Sequence, residues 1–170
     1  MKKLYLLKAL VNLFWFFSVI AIIALLIFIP FFLFNDESLD IPIKIGGEKI
    51  VLVDLSTKLM FLGYVISYSF FVYGVFLFRK VLNHFSKREI FHEAVISLLN
   101  KIGVFFLTAS LIDVVLGFVM QLYPNREAEL RIISGFESFL FTASLGLFFM
   151  VLSEVFSMGK NIKEENELTI

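Results

Sequence analysis

FFLTASLIDVVLGFVM, residues 105–120, is an apolar stretch with one carboxylate, Asp113, near its middle. With its flanks it extends over about 102–122, roughly the 20 residues of helix that cross a hydrocarbon core about 30 Å thick. Three more runs of that kind lie at about 10–34, 59–78 and 132–155. They predict an all-α membrane protein, with four transmembrane helices in a compact bundle and residues 1–170 forming one domain.

Composition points the same way. Of 170 residues, 59% are hydrophobic and 23 are Phe, too apolar for a soluble fold, so the lipid bilayer is the expected partner. Fifteen basic and fifteen acidic residues cancel, so nothing in the net charge points to direct binding of nucleic acid. The absence of cysteine excludes disulfides, thiolate metal sites and cysteine nucleophiles. The first run follows Lys2, Lys3 and Lys8 as in a signal peptide. It is far longer than an h-region and no A-x-A site follows, so it reads as a retained anchor, with Pro30 kinking or ending it.

Charge in the connections sets the expected orientation. The N-terminus, the 79–101 segment and the tail hold three, five and two basic residues, against three and two in the other connections. This places both termini in the cytoplasm, the chain crossing the membrane several times. On the outer side, IPIKI and KIVLV flank Gly46 and Gly47, which predicts a small extracytoplasmic β-hairpin over 39–55. On the inner side, Ser86 and Glu89 form an S-x-x-E capping box. Ile90, Phe91, Ala94, Val95, Leu98, Leu99 and Ile102 follow at helical spacing. The reading is an amphipathic helix over 86–101 lying on the membrane surface and turning at Gly103 into the third span. A tail over 156–170 completes the chain.

Small residues fall in stripes that permit close helix approach in lipid: Gly63, Ser67 and Gly74; Ala109, Ser110, Asp113 and Gly117; Gly135, Ser138, Thr142 and Gly146. Phe70 with Phe71, and Phe139 with Phe149, are expected to face lipid. Asp113 follows Lys101 by twelve residues, about 18 Å of helix, which puts it near mid-depth. An acid there is expensive and should face inward. Tyr68, with Ser67 and Ser69, on the second span and Thr142 and Ser144 on the fourth are its expected company. Two readings stand: a proton, cation or amine site, or an interhelical hydrogen bond that fixes register. Glu137 and Glu154 lie at other depths.

Catalysis is not expected and no catalytic residue is nominated. H-E-x-x-H, G-x-S-x-G and Walker-type loops do not occur. Glu89, His92 and Glu93 contain an E-x-x-H spacing, but a di-metal bundle needs it twice with further carboxylates, so neither metal nor cofactor is expected.

The chain closes on SEVFSMGKNIKEENELTI. Here it resembles a family of bacterial four-span membrane proteins catalogued as domain of unknown function 2975. The matching positions are Glu154, Phe156, Gly159, Ile162, Glu165, Glu167, Leu168, Thr169 and Ile170 in the tail, and Phe91, Asn100, Ile102 and Gly103 before the third span. The resemblance implies a membrane partner or sensor for a small helix-turn-helix regulator, of the kind encoded beside members of the family. The tail residues from Gly159 to Ile170 are the candidate contact, with Glu164, Glu165 and Glu167 suited to a basic surface. Pairing of those acids with Arg79, Lys80, Lys87 and Arg88 is the plainer alternative. The other function weighed is a small transporter or ion pathway through Asp113, which with four spans calls for a homo-oligomer.

Overall fold

The computed structural model describes residues 2–34, 44–45, 48–49, 55–121 and 131–168, with side chains at all of these except 32, 44–45, 48–49, 56–57, 120–121 and 131–138. Four long helices dominate: α1 (Lys2–Phe34), α2 (Leu55–Ser86), α3 (Glu93–Gln121) and α4 (Arg131–Leu168). Each contains a segment long and apolar enough to cross a membrane. α1 runs through Pro30 without ending there. The helices pack in chain order: α3 lies between α2 and α4, and α1 makes its main contact with α2. α1 fully buries none of its described apolar side chains: one side is partly covered, with Trp15, Leu25 and Phe28 packed on the core, and the rest is exposed, as suits a helix surrounded by hydrocarbon rather than water.

The expected β-hairpin over 39–55 is corrected. Among the described residues, extended pairing is confined to Lys44–Ile45 and Glu48–Lys49, antiparallel, with Lys44 opposite Lys49 and Ile45 opposite Glu48. Two residues a side present no continuous face to bury, and so short a ribbon adds no layer of its own. The fold is an all-α four-helix bundle. The expected connection around Pro124 and Asn125 lies outside the described residues.

The surface helix over 86–101 is corrected as well. Ser86 is the last residue of α2, and its hydroxyl donates to the Leu82 carbonyl at 2.9 Å, so it caps nothing that follows. Residues 93–101 are the first turns of α3 itself, and α3 passes straight through Gly103. The apolar face read at 94–102 is real but meets protein: Val95, Leu99 and Ile102 are fully buried in one cluster with Leu77 and Val81 of α2. The tightest part of the core therefore sits at the end of the bundle that carries both termini, beyond the most apolar part of α3. Burial of such side chains is worth about 1.5–3 kcal/mol each when water is the alternative, and here water is nearer than lipid.

Aromatic rings extend this core into the bundle. Phe71 stacks on Phe106 at 5.0 Å, Phe106 meets Phe149 edge-on at 5.8 Å, and Phe78 meets Phe149 at 5.2 Å. Phe149 is buried and Phe71 partly so, which corrects the expectation that both face lipid. Small residues act mostly as sockets: Gly63 receives Leu116, and Gly74 receives the Phe106 ring. Backbones meet at one place, where a Cβ on Gly103 would stand 2.6 Å from the Gly146 carbonyl oxygen. Gly117 faces open space.

Candidate functional site

Asp113 lies on the flank of the bundle at the α2–α3 seam, and its side chain is exposed rather than enclosed. Its carboxylate is within reach of the Ser67 hydroxyl and near Tyr64. Ser67 is buried and donates to the Ala109 carbonyl at 3.0 Å, one helical turn before Asp113. That hydroxyl has a single proton, so it serves either the carbonyl or the carboxylate at one time. The rest of the expected cluster is not gathered here. Tyr68 lines an apolar hollow of about 540 Å³ with Ala21, Leu25 and Phe28 of α1, on the other side of α2. Gly146, one turn after Thr142 on α4, packs against Gly103 and Leu107 of α3. The side chains of Gly135, Glu137 and Ser138 lie outside those described.

At the termini end the helices are joined by polar contacts that cross large sequence separations. Arg79 of α2 donates from Nε to Asn12 Oδ1 of α1 at 2.7 Å, and its guanidinium lies 3.9 Å from the centre of the Trp15 ring. Planar Arg can make both contacts together, whereas an ammonium cannot reproduce them. At the opposite end, the buried Lys58 Nζ donates to the Leu33 carbonyl at 2.9 Å, at the last turn of α1, where a cation complements the helix dipole.

The α2–α3 corner is built from capping geometry. The Arg88 and Glu89 amides donate to the Phe85 and His84 carbonyls at 3.1 Å each, the two bonds of a Schellman motif, and Arg88 takes the left-handed conformation (φ 64°) that the motif requires. His92 then caps α3, its Nδ1 accepting from the Ala94 amide at 3.1 Å. The His84 ring lies 5.9 Å from that of His92, nearly parallel, and His84 Nδ1 meets Glu89 Oε2 at 2.7 Å. This hydrogen bond holds the Glu89 carboxyl below the usual carboxylate range, with nearby Lys87 adding to the effect. Among the described residues no group of His, Asp and Glu is arranged to hold a metal ion.

Beyond the corner, Glu93 of α3 bridges to Lys160 of α4 at 2.6 Å, and Lys160 is 3.5 Å from Glu164. Below the bridge, Ser97, Asn100, Glu154, Ser157 and Asn161 border a polar groove of about 450 Å³ between the two helices. Ser153, buried at its wall, donates to the Ile96 carbonyl at 2.7 Å. The tail is no loose appendage: α4 stays helical to Leu168, and Gly159 lies under the Phe91 ring. Glu164 and Glu167 pair with Lys160 and Lys163 of the same helix, at 3.5 and 3.6 Å, rather than with Arg79, Lys80, Lys87 or Arg88. Ile162 and Leu168 are exposed, and Thr169 and Ile170 lie outside the described residues.

Sequence reading missed the Arg79–Asn12–Trp15 contact and the Glu93–Lys160 bridge. Polar Asn12 and Arg79 at the edges of apolar runs were a signal for the first. Nothing local marks the second, whose partners are 67 residues apart.

The model of one protein family, described as a protein of unknown function (DUF2975), matches residues 12–170. The chain belongs to this family. The match takes in all of α2, α3 and α4, most of α1, and the tail on which the resemblance rested. No curated protein and no solved structure matches the chain. As a DUF2975 protein with four apolar helices, it is a multi-pass membrane protein, and the family description assigns no chemistry to the contacts above.

Proposed function

We propose that this protein is a non-catalytic, membrane-embedded regulatory scaffold in a bacterial inner membrane. Both termini face the cytoplasm, and the helical end of α4 presents a docking surface to a small helix-turn-helix regulator. The observation that carries the reading is the continuity of α4: one unbroken helix leads from the apolar segment to Leu168. It displays Glu164, Glu165 and Glu167 on a base fixed by the Glu93–Lys160 bridge and the Gly159–Phe91 contact. A rigid acidic post of this kind suits a basic DNA-binding surface by charge complementarity, which raises association rate and selectivity more than affinity. Holding such a regulator at the membrane keeps it from DNA. The basic flank of the same end, with Lys2, Lys3, Lys8, Lys80 and Lys87, supports the cytoplasmic assignment.

The test uses the full chain in lipid nanodiscs and the helix-turn-helix regulators encoded in the same genome, each purified. Removal of residues 164–170 leaves Lys160 and its bridge to Glu93 in place. It is expected to abolish capture of one regulator while helix content and membrane insertion stay as they were. Capture by the shortened chain, or none by the intact protein, would reject the reading.

A further inference from the structure

Between residues 140 and 162 the exposed side chains of α4 fall in three heptad columns, of which Leu140, Leu147, Glu154 and Asn161 form the one that carries a charge and the other two are uncharged. Phe141, Phe148, Val155 and Ile162 form one, and Ser144, Val151 and Met158 the next, so the spacing alternates three and four along the helix. This is the pattern of a coiled-coil seam. Within hydrocarbon such a face needs no protein cover, because acyl chains are as apolar as the side chains. The columns do not stop where the hydrocarbon does. Lys101 ends the apolar run of α3, and Gly103 lies against Gly146 and Met150, so α4 leaves the hydrocarbon between residue 150 and the end of its apolar run near 155. Ile162 is seven to twelve residues further, roughly 10–18 Å along the helix axis. The headgroup layer takes up only about 5–7 Å on each side. Val155, Met158 and Ile162 are 52%, 61% and 60% exposed, and on that measure Ile162 stands past the headgroup layer.

We propose that this face of α4 is the seam of a parallel homodimer, a second copy of the chain packing its own α4 against it. Copies inserted in one membrane share an orientation, so two α4 helices meet parallel and in register, each residue opposite itself across a twofold axis. The seven column side chains, about half exposed, present roughly 700 Å² per copy, close to the ~800 Å² that each partner gives to a standard interface. Charge leaves the seam free. Lys160 is engaged by Glu93 and Glu164, and Lys163 by Glu167, all off the columns, and no charged residue stands in either column from 141 to 162. Glu165, the next column position, brings like charges together and ends the seam. The proposal goes beyond the regulatory reading and does not depend on it, since the dimer forms without a regulator.

The chain contains no cysteine, so single ones can be introduced without background. Met158→Cys and Ile162→Cys sit on the seam; Lys163→Cys, whose side chain is 63% exposed, sits off it. Each full-length variant is reconstituted in liposomes at high lipid excess and mildly oxidised. The two seam variants are expected to give disulfide-linked dimers, and Lys163→Cys about tenfold less. Equal cross-linking at all three positions, no dimer at any, or cross-links in native membranes only to a different protein would overturn the proposal. Independently, Ile162→Glu is expected to weaken dimerisation about tenfold, read by single-molecule photobleaching. An unchanged dimer fraction in that variant, with helix content intact, would overturn it too.

Discussion

Arg88 occupies a left-handed backbone conformation that costs an L-residue about 1–2 kcal/mol, because its Cβ crowds the neighbouring carbonyl. The Schellman bonds at the α2 terminus hold it there. Arg88→Gly removes the crowding but adds chain entropy to the unfolded state, so the expected net gain is about 0.5–1 kcal/mol, measured as a raised unfolding midpoint in detergent. At Gly103 the sign reverses. A methyl group there meets the Met150 side chain, which can swing aside, and the Gly146 carbonyl, which cannot, so α3 and α4 must move apart. Gly103→Ala is expected to cost about 1–3 kcal/mol in the same measurement, whereas Gly117→Ala, which meets open space, costs none. Both residues were legible in sequence as glycines in apolar runs. Which of the two mattered was not, because the decisive contact comes from a helix some 40 residues away.

Contacts between elements decide how α1 and the α2–α3 corner behave. α1 has little burial of its own, and the Arg79 bond to Asn12 and its stacking on Trp15 fix its register on α2. Trp15 is the single tryptophan, so its fluorescence reports this contact alone. Arg79→Lys is expected to change its emission nearly as much as Arg79→Met does, because an ammonium cannot both bond Asn12 and cover the ring. At the corner, the folded-state pKa of Glu89 is depressed by His84. The stabilisation is therefore present above the usual carboxylate range and lost as the pH falls through the depressed value. The carboxyl carbon resonance of Glu89 should titrate below the ordinary range in the intact protein and return towards it in His84→Gln.

The corner also shows why an amphipathic pattern misleads about its partner. Val95, Leu99 and Ile102 recur at helical spacing whether lipid headgroups or another helix cover them. The periodicity records that a face is buried and says nothing of what buries it. Here α2 continues to Ser86 and supplies Leu77 and Val81, so the face meets protein.

For the whole molecule, the densest packing is at the termini end, outside the most apolar part of the spans. Amide exchange in nanodiscs should accordingly be as slow over residues 94–100 as over 104–110, although only the latter are shielded by hydrocarbon. Exchange over 94–100 at the rate of a solvated surface helix would contradict this packing. A base of that rigidity lets the α4 extension hold its geometry outside the bilayer, which both the docking of a regulator and a dimer seam require.

Apolar runs of spanning length, separated by charged connections, determined by themselves that this chain is a multi-pass helical membrane protein, because the cost of unsatisfied backbone groups in hydrocarbon leaves helices as the one arrangement for such runs. The tail motif likewise pointed to DUF2975 before any coordinates. Tertiary structure alone decided that Phe71 and Phe149 turn inward, that Asp113 meets Ser67 while Tyr68 lines a hollow against α1, and that residues 93–101 belong to α3 and pack on α2. In lipid every face of these helices is apolar, so hydrophobicity does not distinguish inside from outside. Steric fit between particular side chains, such as Gly103 against Gly146, makes that choice.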